Sequence, residues 1–349
     1  MENQLIYERP LRCDYGIGII GTGGIVNHVH LPAYRKAGLN VVAVTDIDRQ
    51  AAERTADKFG IGHVFSSVHE LVAADGIDIV DIAIPPQGRL EIVEAAAKAG
   101  KHILIQKPFA HNREEAERMV RIAQDAGVKL MVNQNARYAP FYRKTKELIE
   151  TGAIGVPYLF THEMRINQDK TSKDSWFAKL PHFLIADYDI HHLDMMRFWA
   201  GRSPERIFSS TARMEGQHFL SDMTHMAVLE FSGGLRGHIL SVDSAQMKAE
   251  DQYFRFVVEG SEGRIECAMN NLYHVLDFRY VTNRNPDEWV PLNVEGQWFP
   301  DAFYGVMFEL MNAIHEDREP AVSGSDNLET LRLLEGAISS VTERRVVEL

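Results

Sequence analysis

The stretch from residue 15 to residue 30 restricts the possible folds more than any other part of the chain. Its apolar residues 17–20 predict a short buried strand, a glycine-rich turn follows, and a helical pattern begins near Ile25. Strand, glycine turn and helix in this order are typical of a segment that binds the pyrophosphate of a dinucleotide. Gly21 would permit the tight turn, and Gly23 would let a phosphate approach the backbone. A purely structural turn is the alternative.

A second buried-strand pattern, residues 39–46, ends in a carboxylate, Asp46. In a dinucleotide-binding fold this position meets the adenosine ribose, and the carboxylate can accept hydrogen bonds from both hydroxyls. The same charge would repel a 2′-phosphate. We therefore expect NAD, rather than NADP, as the cofactor. The alternative role for Asp46 is to cap the helix predicted at 49–59.

Strand and helix patterns alternate over about 130 residues, which predicts a doubly wound parallel sheet, a Rossmann-type α/β fold. Ligands bind beyond the carboxyl ends of such strands, so residues 21–24, 84–86 and 106–108 should face the cofactor. Lys107 is the cationic side chain at the last of these ends, where the nicotinamide is expected. A solvated surface lysine is the alternative.

The composition is that of an ordinary soluble globular protein, 45% hydrophobic and 25% charged, and 349 residues allow two domains. A net charge of −12 argues against nucleic acid or an anionic membrane as a partner. No apolar run approaches the roughly 20 residues that span a bilayer. Cys13 and Cys267 lack the spacing of a metal or redox motif, which favours a reducing cytoplasm. Residues 1–14 are polar and are expected to form a surface arm.

The second half of the chain predicts a different kind of sheet. Strand-like runs separated by short turns follow one another from residue 207 to residue 268, after a first strand at 157–166. Short turns between successive strands indicate antiparallel pairing. We expect a large, mostly antiparallel open sheet whose second face is covered in a homodimer or homotetramer. The polar segment 167–181 carries Trp176, which would bind substrate or, alternatively, act as a structural plug.

Several motifs together resemble one known family, the Gfo/Idh/MocA oxidoreductases, named after glucose-fructose oxidoreductase and inositol dehydrogenase. The motifs are Gly21-Thr-Gly-Gly, Asp46, Ala83-Ile-Pro-Pro, Ala99-Gly-Lys-His-Ile-Leu-Ile-Gln-Lys-Pro and Asn133-Gln-Asn-Ala-Arg-Tyr-Ala-Pro. The resemblance implies a Rossmann domain, here 15–136, followed by an α/β domain, here 137–349, that binds a sugar or cyclitol. Two residues depart from the family pattern: Gln106 replaces the usual Glu before the lysine, and Arg89 replaces a frequent His.

A helical pattern at 186–199 places Asp187, His191 and Asp194 on one face, within roughly 60° of arc. The resemblance makes Asp187 and His191 the acid–base pair, and Asp189 stands where the family commonly has Gly. A metal site that also uses His192 is the alternative. Because adjacent helical residues diverge by about 100°, we expect no metal there. His28 and His30 are interpreted as surface or packing residues.

The sequence thus predicts an NAD-dependent dehydrogenase that oxidises a secondary or anomeric hydroxyl of a sugar or cyclitol. A reductase or diol dehydrogenase with a non-sugar substrate, or a non-catalytic NAD sensor, are the alternatives. The expected catalytic residues are Lys107, Asp187 and His191. The expected cofactor-binding residues are Gly21, Gly23, Gly24, Ile25, Asp46, Ile84, Pro85, Gln106 and Asn135. The expected substrate-binding residues are Lys107, Arg165, Trp176 and His191.

Overall fold

The chain divides into two compact units. One comprises the residues up to Ala139 together with Gly296–Leu331, and the other comprises Pro140–Glu295 together with Arg332–Leu349. The computed structural model describes residues 5–349. The first four residues of the predicted arm lie outside this range.

The first unit contains a six-stranded sheet. Its strands are β1 (Ile17–Ile20), β2 (Val41–Thr45), β3 (His63–Val64), β4 (Ile79–Ile82), β5 (His102–Gln106) and β6 (Leu130–Asn133). They pair in parallel in the order β3-β2-β1-β4-β5-β6. This strand order, which changes direction between β1 and β4, is that of a dinucleotide-binding doubly wound sheet. The fold predicted for the first half is therefore confirmed.

Helices connect the strands of this sheet. They are α1 (Leu31–Ala37), α2 (Arg49–Phe59), α3 (Val68–Ala73), α4 (Arg89–Lys98) and α5 (Arg113–Asp125). The helix predicted to begin near Ile25 starts instead with a π-helical turn, Val26–His30, whose Val26 and His30 side chains are buried. Wide turns of this kind are rare and often occur at functional sites.

The glycines around β1 differ in purpose. A Cβ on Gly16 would lie 1.8 Å from the Gly76 carbonyl oxygen, and a Cβ on Gly18 would lie 2.8 Å from Leu71. These two glycines therefore allow close packing inside the sheet. In the literal Gly-x-Gly-x-x-Gly motif that begins at Gly16, the first two glycines therefore serve packing.

Most of the remaining elements build the second unit. Its helices are α6 (Pro140–Glu150), α7 (Gln168–Thr171) and α8 (Ile190–Ala200). The helix α9 (Asp301–His315) belongs to the first unit, and α10 (Gly324–Glu343) begins in the first unit and ends in the second. The strands are β7 (Pro157–Arg165), β8 (Arg206–Ala212), β9 (Thr224–Glu230), β10 (Arg236–Val242), β11 (Tyr253–Gly260), β12 (Gly263–Asn270), β13 (Val275–Thr282), β14 (Val290–Pro291) and β15 (Val347–Glu348). They form one sheet, ordered β14-β13-β12-β11-β7-β10-β9-β8-β15.

This nine-stranded sheet is antiparallel except for the β7–β10 pair, which is parallel. The predicted mostly antiparallel sheet is confirmed. One of its faces packs against α6 and α8: the Trp199 indole contacts Phe160, His162 and Phe256. The opposite face leaves Phe208, Met226 and Val228 about two-fifths exposed.

A strand and a domain boundary also differ from the sequence-based expectation. Strand β13 escaped prediction because only Phe278 of its eight residues is buried, so it lacks apolar alternation. Residues 296–331 belong to the first unit, whereas the second domain was expected to continue unbroken from 137 to the C-terminus. The physical reason is that α9 packs on α1, β5 and β6. Among residues 5–349, no helix combines the length and apolar character that crossing a bilayer requires.

Candidate active site

The glycine turn after β1 has the conformation that its sequence predicts. Gly21 has a φ of +93°, and a Cβ there would lie 2.7 Å from the Ile84 side chain, so no other residue fits. Gly23 is exposed, and a Cβ at that position would meet nothing within 4 Å. Gly24 is exposed too, and Ile25 is 37% exposed. The turn thus presents open backbone next to the end of β4, where a dinucleotide can approach.

Asp46 holds this turn from the end of β2. Its Oδ2 accepts hydrogen bonds from the backbone N–H of Thr22 (2.6 Å) and from the Thr22 hydroxyl (2.9 Å), and its Oδ1 accepts from the N–H of Asp48 (2.9 Å). The alternative role as a helix cap is wrong, because Asp48 caps α2 by accepting from the N–H groups of Gln50 and Ala51. The carboxylate is held in place and retains lone pairs for a ribose.

Replacing Asp46 with Ala should weaken the discrimination between NAD and NADP. We expect the wild type to prefer NAD at least tenfold, about 1.4 kcal/mol, because the carboxylate repels a 2′-phosphate. Steady-state kcat/KM with both cofactors measures the ratio in each protein. The loss of the Thr22 hydrogen bonds should lower both values, so the ratio is the informative quantity. Asp57→Ala, an exposed aspartate on α2, is the control. Equal use of both cofactors by the wild type would contradict the assignment.

Arg89 connects the two strand ends that follow β4 and β5. The side chain is 1% exposed; its Nε donates to the Ile84 carbonyl (3.0 Å) and its Nη1 to the Phe109 carbonyl (3.2 Å). It also donates to the carbonyls of Gln106 and Pro108. Burial lowers the pKa of Arg89 to about 9, which leaves it cationic at neutral pH. From the sequence, Arg89 was noted only as a departure from the family pattern. In the structure its guanidinium group donates hydrogen bonds to backbone carbonyls that follow both strands.

The segment that Arg89 holds after β5 contains Gln106 and Lys107. Gln106 is 8% exposed, and its side-chain oxygen accepts the backbone N–H of Lys107 (2.8 Å), whereas its amide nitrogen lies 3.0 Å from His30 Nε2. Lys107 is half-buried at the end of β5. Ile84 and the exposed Pro85 follow β4, the neighbouring strand. The predicted strand-end residues therefore do lie at one edge of the sheet.

The end of β6 adds polar groups that the sequence did not single out. Asn133 and Gln134 are fully buried, and their side-chain amides have no hydrogen-bond partner among residues 5–349. Asn135, which was predicted to bind the cofactor, accepts a hydrogen bond from the Trp298 indole (2.7 Å) and donates to the Asn133 carbonyl (3.2 Å). Since Asn133 pairs with Gln106, these amides stand beside the strand end that carries Lys107.

In the second unit, Asp187 and His191 lie where a π-helical segment becomes α8. Asp187 is half-buried in the segment Leu184–Asp189, and His191 is 9% exposed in the first turn of α8. The predicted helix is therefore present, but its first turn is wider than the α-helix assumed for the 60° arc. Asp194, also expected on that face, is buried and forms an ion pair with Arg197 (3.6 Å).

Asp189 explains why this helix start is stable. Its buried carboxylate accepts hydrogen bonds from His192 Nδ1 (2.7 Å), His225 Nδ1 (2.6 Å) and Ser241 Oγ (2.6 Å). Burial alone would raise the pKa of Asp189, but the hydrogen bonds from the two histidines outweigh it and hold the pKa well below its usual value. The sequence had noted only an Asp at a common Gly position. These bonds attach the Asp187 segment to β9 and β10.

The metal alternative has no support from these contacts. Both His192 and His225 direct Nδ1 at the Asp189 carboxylate, so these two nitrogens are engaged in hydrogen bonds. His162 stacks on the His192 ring with centroids 4.7 Å apart, and burial lowers the pKa of His162 well below its usual value. Within residues 5–349, no group of three or more His, Cys, Asp or Glu is arranged to hold a metal ion.

The two remaining substrate-binding predictions differ in their surroundings. Trp176 is 65% exposed in a short 3-10 turn, so it is not a structural plug; Phe177 beside it stacks on Phe183. Arg165 pairs with Glu163 (2.8 Å), and both alternate along β7 with buried His162, which faces α8. Arg165 therefore lies on the opposite face of the sheet from α8, and we leave it out of the proposed site.

A parallel sheet of order 3-2-1-4-5-6 with an open glycine turn at the end of its first strand is typical of a dinucleotide-binding domain. Residues 15–134 match the model of an oxidoreductase family with an NAD-binding Rossmann fold, and residues 142–266 match the C-terminal domain of the same GFO/IDH/MocA family. These matches cover more than half of the chain, so the protein belongs to the GFO/IDH/MocA family. The family, the fold class and the NAD cofactor expected from the sequence are thereby confirmed.

Named relatives extend over nearly the whole chain. D-apiose dehydrogenase from Paraburkholderia graminis is 29% identical over 331 residues, which is 93% of this chain and 88% of the relative. Myo-inositol 2-dehydrogenase from Thermotoga maritima is 27% identical over 344 residues, 95% of this chain and 98% of the relative. A crystal structure of an oxidoreductase from Agrobacterium radiobacter, in complex with NAD+, L-tartaric acid and magnesium, superposes with a TM-score of 0.83 at 24% identity and covers 96% of this chain and 98% of that one.

Proposed function

We propose that this protein oxidises a secondary or anomeric hydroxyl group of a sugar or cyclitol, with NAD as the hydride acceptor. The observation that carries the proposal is that the chain has the three side chains that this chemistry requires. The first unit has Lys107 at a strand end beside the phosphate turn, and the second unit has Asp187 and His191 at the start of α8. The relatives named after apiose and inositol support the same substrate class.

Each of these residues has one role in the proposed reaction. His191 accepts the hydroxyl proton, Asp187 orients the imidazole and stabilises the imidazolium, and Lys107 donates a hydrogen bond to the oxygen as negative charge develops. Bound NAD supplies the site that receives the hydride. The exposed indole of Trp176 offers a flat apolar surface to the carbon–hydrogen face of a substrate ring. Gly21, Gly23, Gly24, Ile25, Asp46, Ile84, Pro85, Gln106 and Asn135 remain the proposed cofactor-binding residues.

Turnover with a panel of pentoses, hexoses and inositols, followed by NADH absorbance, tests the proposal. We expect oxidation of at least one sugar or cyclitol. Turnover confined to non-sugar diols or to carbonyl reduction would instead support the alternative enzyme class. Tight NAD binding without turnover of any compound would support a sensor. The unpaired Cys13 and Cys267 agree with the cytoplasm as the proposed location.

We also propose that the open face of the nine-stranded sheet joins copies of this chain into a homodimer or homotetramer. Phe208, Met226 and Val228 lie together on β8 and β9, because Phe208 pairs with Val228 and Ser210 with Met226. Exposed apolar side chains in neighbouring strands are typical of an interface. Val228→Lys should shift the sedimenting species towards monomer, whereas Leu11→Lys, an equally conspicuous exposed position in the first unit, should not. An unchanged oligomer in Val228→Lys would overturn the proposed interface.

A further inference from the structure

A buried chain of hydrogen bonds leads from β4 to the backbone of Lys107. Asp81 Oδ2 lies 2.7 Å from His30 Nδ1, and His30 Nε2 lies 3.0 Å from the Gln106 amide nitrogen. The Gln106 oxygen then accepts the Lys107 N–H at 2.8 Å. Asp81 and His30 are fully buried and Gln106 is 8% exposed. His30 was interpreted from the sequence as a surface or packing residue, so this arrangement was not expected.

The chemistry of the donors leaves one assignment of protons along this chain. A backbone N–H can only donate, so the oxygen of the Gln106 amide must face Lys107. The NH₂ group of Gln106 therefore faces His30 and donates to Nε2, which must be unprotonated. A neutral imidazole with a bare Nε2 carries its proton on Nδ1 and donates it to the Asp81 carboxylate. His30 is thus neutral, in the Nδ1–H form.

The groups around His30 hold it in this state. The Tyr34 hydroxyl of α1 also donates to Asp81 Oδ2 (2.7 Å), and burial together with Asp81 raises the pKa of Tyr34 well above its usual value, so it stays a phenol. Phe303 of α9 places its ring 5.0 Å from the imidazole. Asp81 and Tyr34 are therefore the titratable groups that face His30, from β4 and α1, beside the amide of Gln106 on β5.

We propose that His30 is a positioning residue of the active site. Gln106, as an amide, avoids the uptake and release of a proton that a carboxylate at position 106 would introduce beside His30. The neutral imidazole orients the Gln106 amide, and the amide holds the backbone from which the Lys107 side chain projects. Arg89 holds the carbonyl of the same residue, Gln106, from the other side. The proton assignment stands on the contacts alone, whereas the effect on turnover rests on the proposed dehydrogenase function.

Nitrogen NMR of the wild type labelled with ¹⁵N-histidine tests the assignment without any turnover. The His30 signals are identified by their loss in His30→Gln, or by their selective change in Gln106→Glu if the first variant does not fold. We expect a protonated Nδ1 and a bare Nε2 at pH 7, because these are the forms that the contacts with Asp81 and Gln106 require. His69→Gln, at an exposed position on α3, is the matched control. A protonated Nε2 in the wild type at pH 7 would overturn the assignment.

Gln106→Glu tests the consequence for the site. Its carboxylate can still accept the Lys107 N–H, but its second oxygen now faces a bare Nε2, and the two lone pairs repel unless one more proton binds. The contacts of residue 106 with the Lys107 N–H and with His30 are kept while that proton is bound. They are lost at a higher pH, where the proton is released. We therefore expect the pH profile of kcat, a single rising limb in the wild type, to become bell-shaped, with about a tenfold loss at high pH.

The double variant Gln106→Glu/His30→Gln decides whether His30 causes the new limb. An amide does not titrate, so the falling limb should disappear even if the maximal rate is low. A falling limb that persists without His30, or a Gln106→Glu profile identical to that of the wild type, would overturn the proposed role. If the wild type oxidises no sugar or cyclitol, the proposed function fails, but the NMR result on His30 is unaffected and is judged separately.

Discussion

Replacing His191 with Asn should lower kcat for the oxidation by about two to four orders of magnitude. A sugar hydroxyl is far too weak an acid to lose its proton unaided at neutral pH, so removal of the general base should leave hydride loss without its accompanying proton transfer. Asn keeps a polar side chain of comparable size at this buried position, so the change of packing should be small. Single-turnover rates at saturating NAD and substrate measure the effect on the chemical step.

The pH profile identifies the residue that carries the proton. The wild type should show kcat/KM rising with pH along one ionisation in roughly the 6–8.5 range, as expected for a histidine base. The limb should vanish in His191→Asn. It should persist in Asp187→Asn but move to lower pH, because a carboxylate that stabilises the imidazolium is lost. His238→Asn, on the opposite face of the sheet, is the matched control. A His191→Asn enzyme with the wild-type profile would make Lys107 the leading candidate for the base.

Local sequence pattern was sufficient for the parts of the fold that bury continuous apolar segments. Each of the strands β1, β4 and β6 has four residues, and all of them are buried. Strands of a parallel sheet are buried on both faces and form continuous apolar runs, so these three could be found directly. The pattern was insufficient for β13, which carries charged residues on the open face. It was also insufficient for the π-helical turns, since the extra residue in each follows from tertiary packing of buried side chains and leaves no periodic signal.

The same contrast holds within the candidate site. The conformation of Gly21 and the position of Asp46 follow from local chain geometry, and the structure places Gly21 in the glycine turn and Asp46 against it. The roles of three other residues depend on partners that are distant in the sequence. His30 and Arg89 both contact Gln106, which lies 76 residues from the first and 17 from the second. Asp189 contacts His225, 36 residues away. A single sequence does not show such pairings. The sequence did contain a residue type unusual for the family at three positions, Arg89, Gln106 and Asp189. Each of these residues is part of a buried polar network in the structure.

Replacing Lys107 with Ala should lower kcat by about 10²–10³ and change the affinity for NAD little. The reason is that the backbone of this turn is held independently of the side chain. Arg89 holds the Gln106 and Pro108 carbonyls, and the Gln106 side chain holds the Lys107 N–H. Truncation therefore removes the ammonium group but leaves the strand end in place. Isothermal calorimetry with NAD and steady-state kinetics with the best substrate separate the two effects.

The outcome distinguishes a role at the reacting oxygen from a role at the phosphates. If Lys107 neutralised the pyrophosphate, its loss should weaken NAD binding and leave kcat nearly intact, because that interaction is equal in the ground and transition states. Lys129→Ala is the matched control: this lysine precedes β6, at the amino edge of the same sheet, and pairs with Asp317 at 2.8 Å. Its truncation should leave both quantities unchanged. A Lys107→Ala enzyme with weak NAD binding and a normal kcat would remove Lys107 from the catalytic step and leave only His191 and Asp187 there.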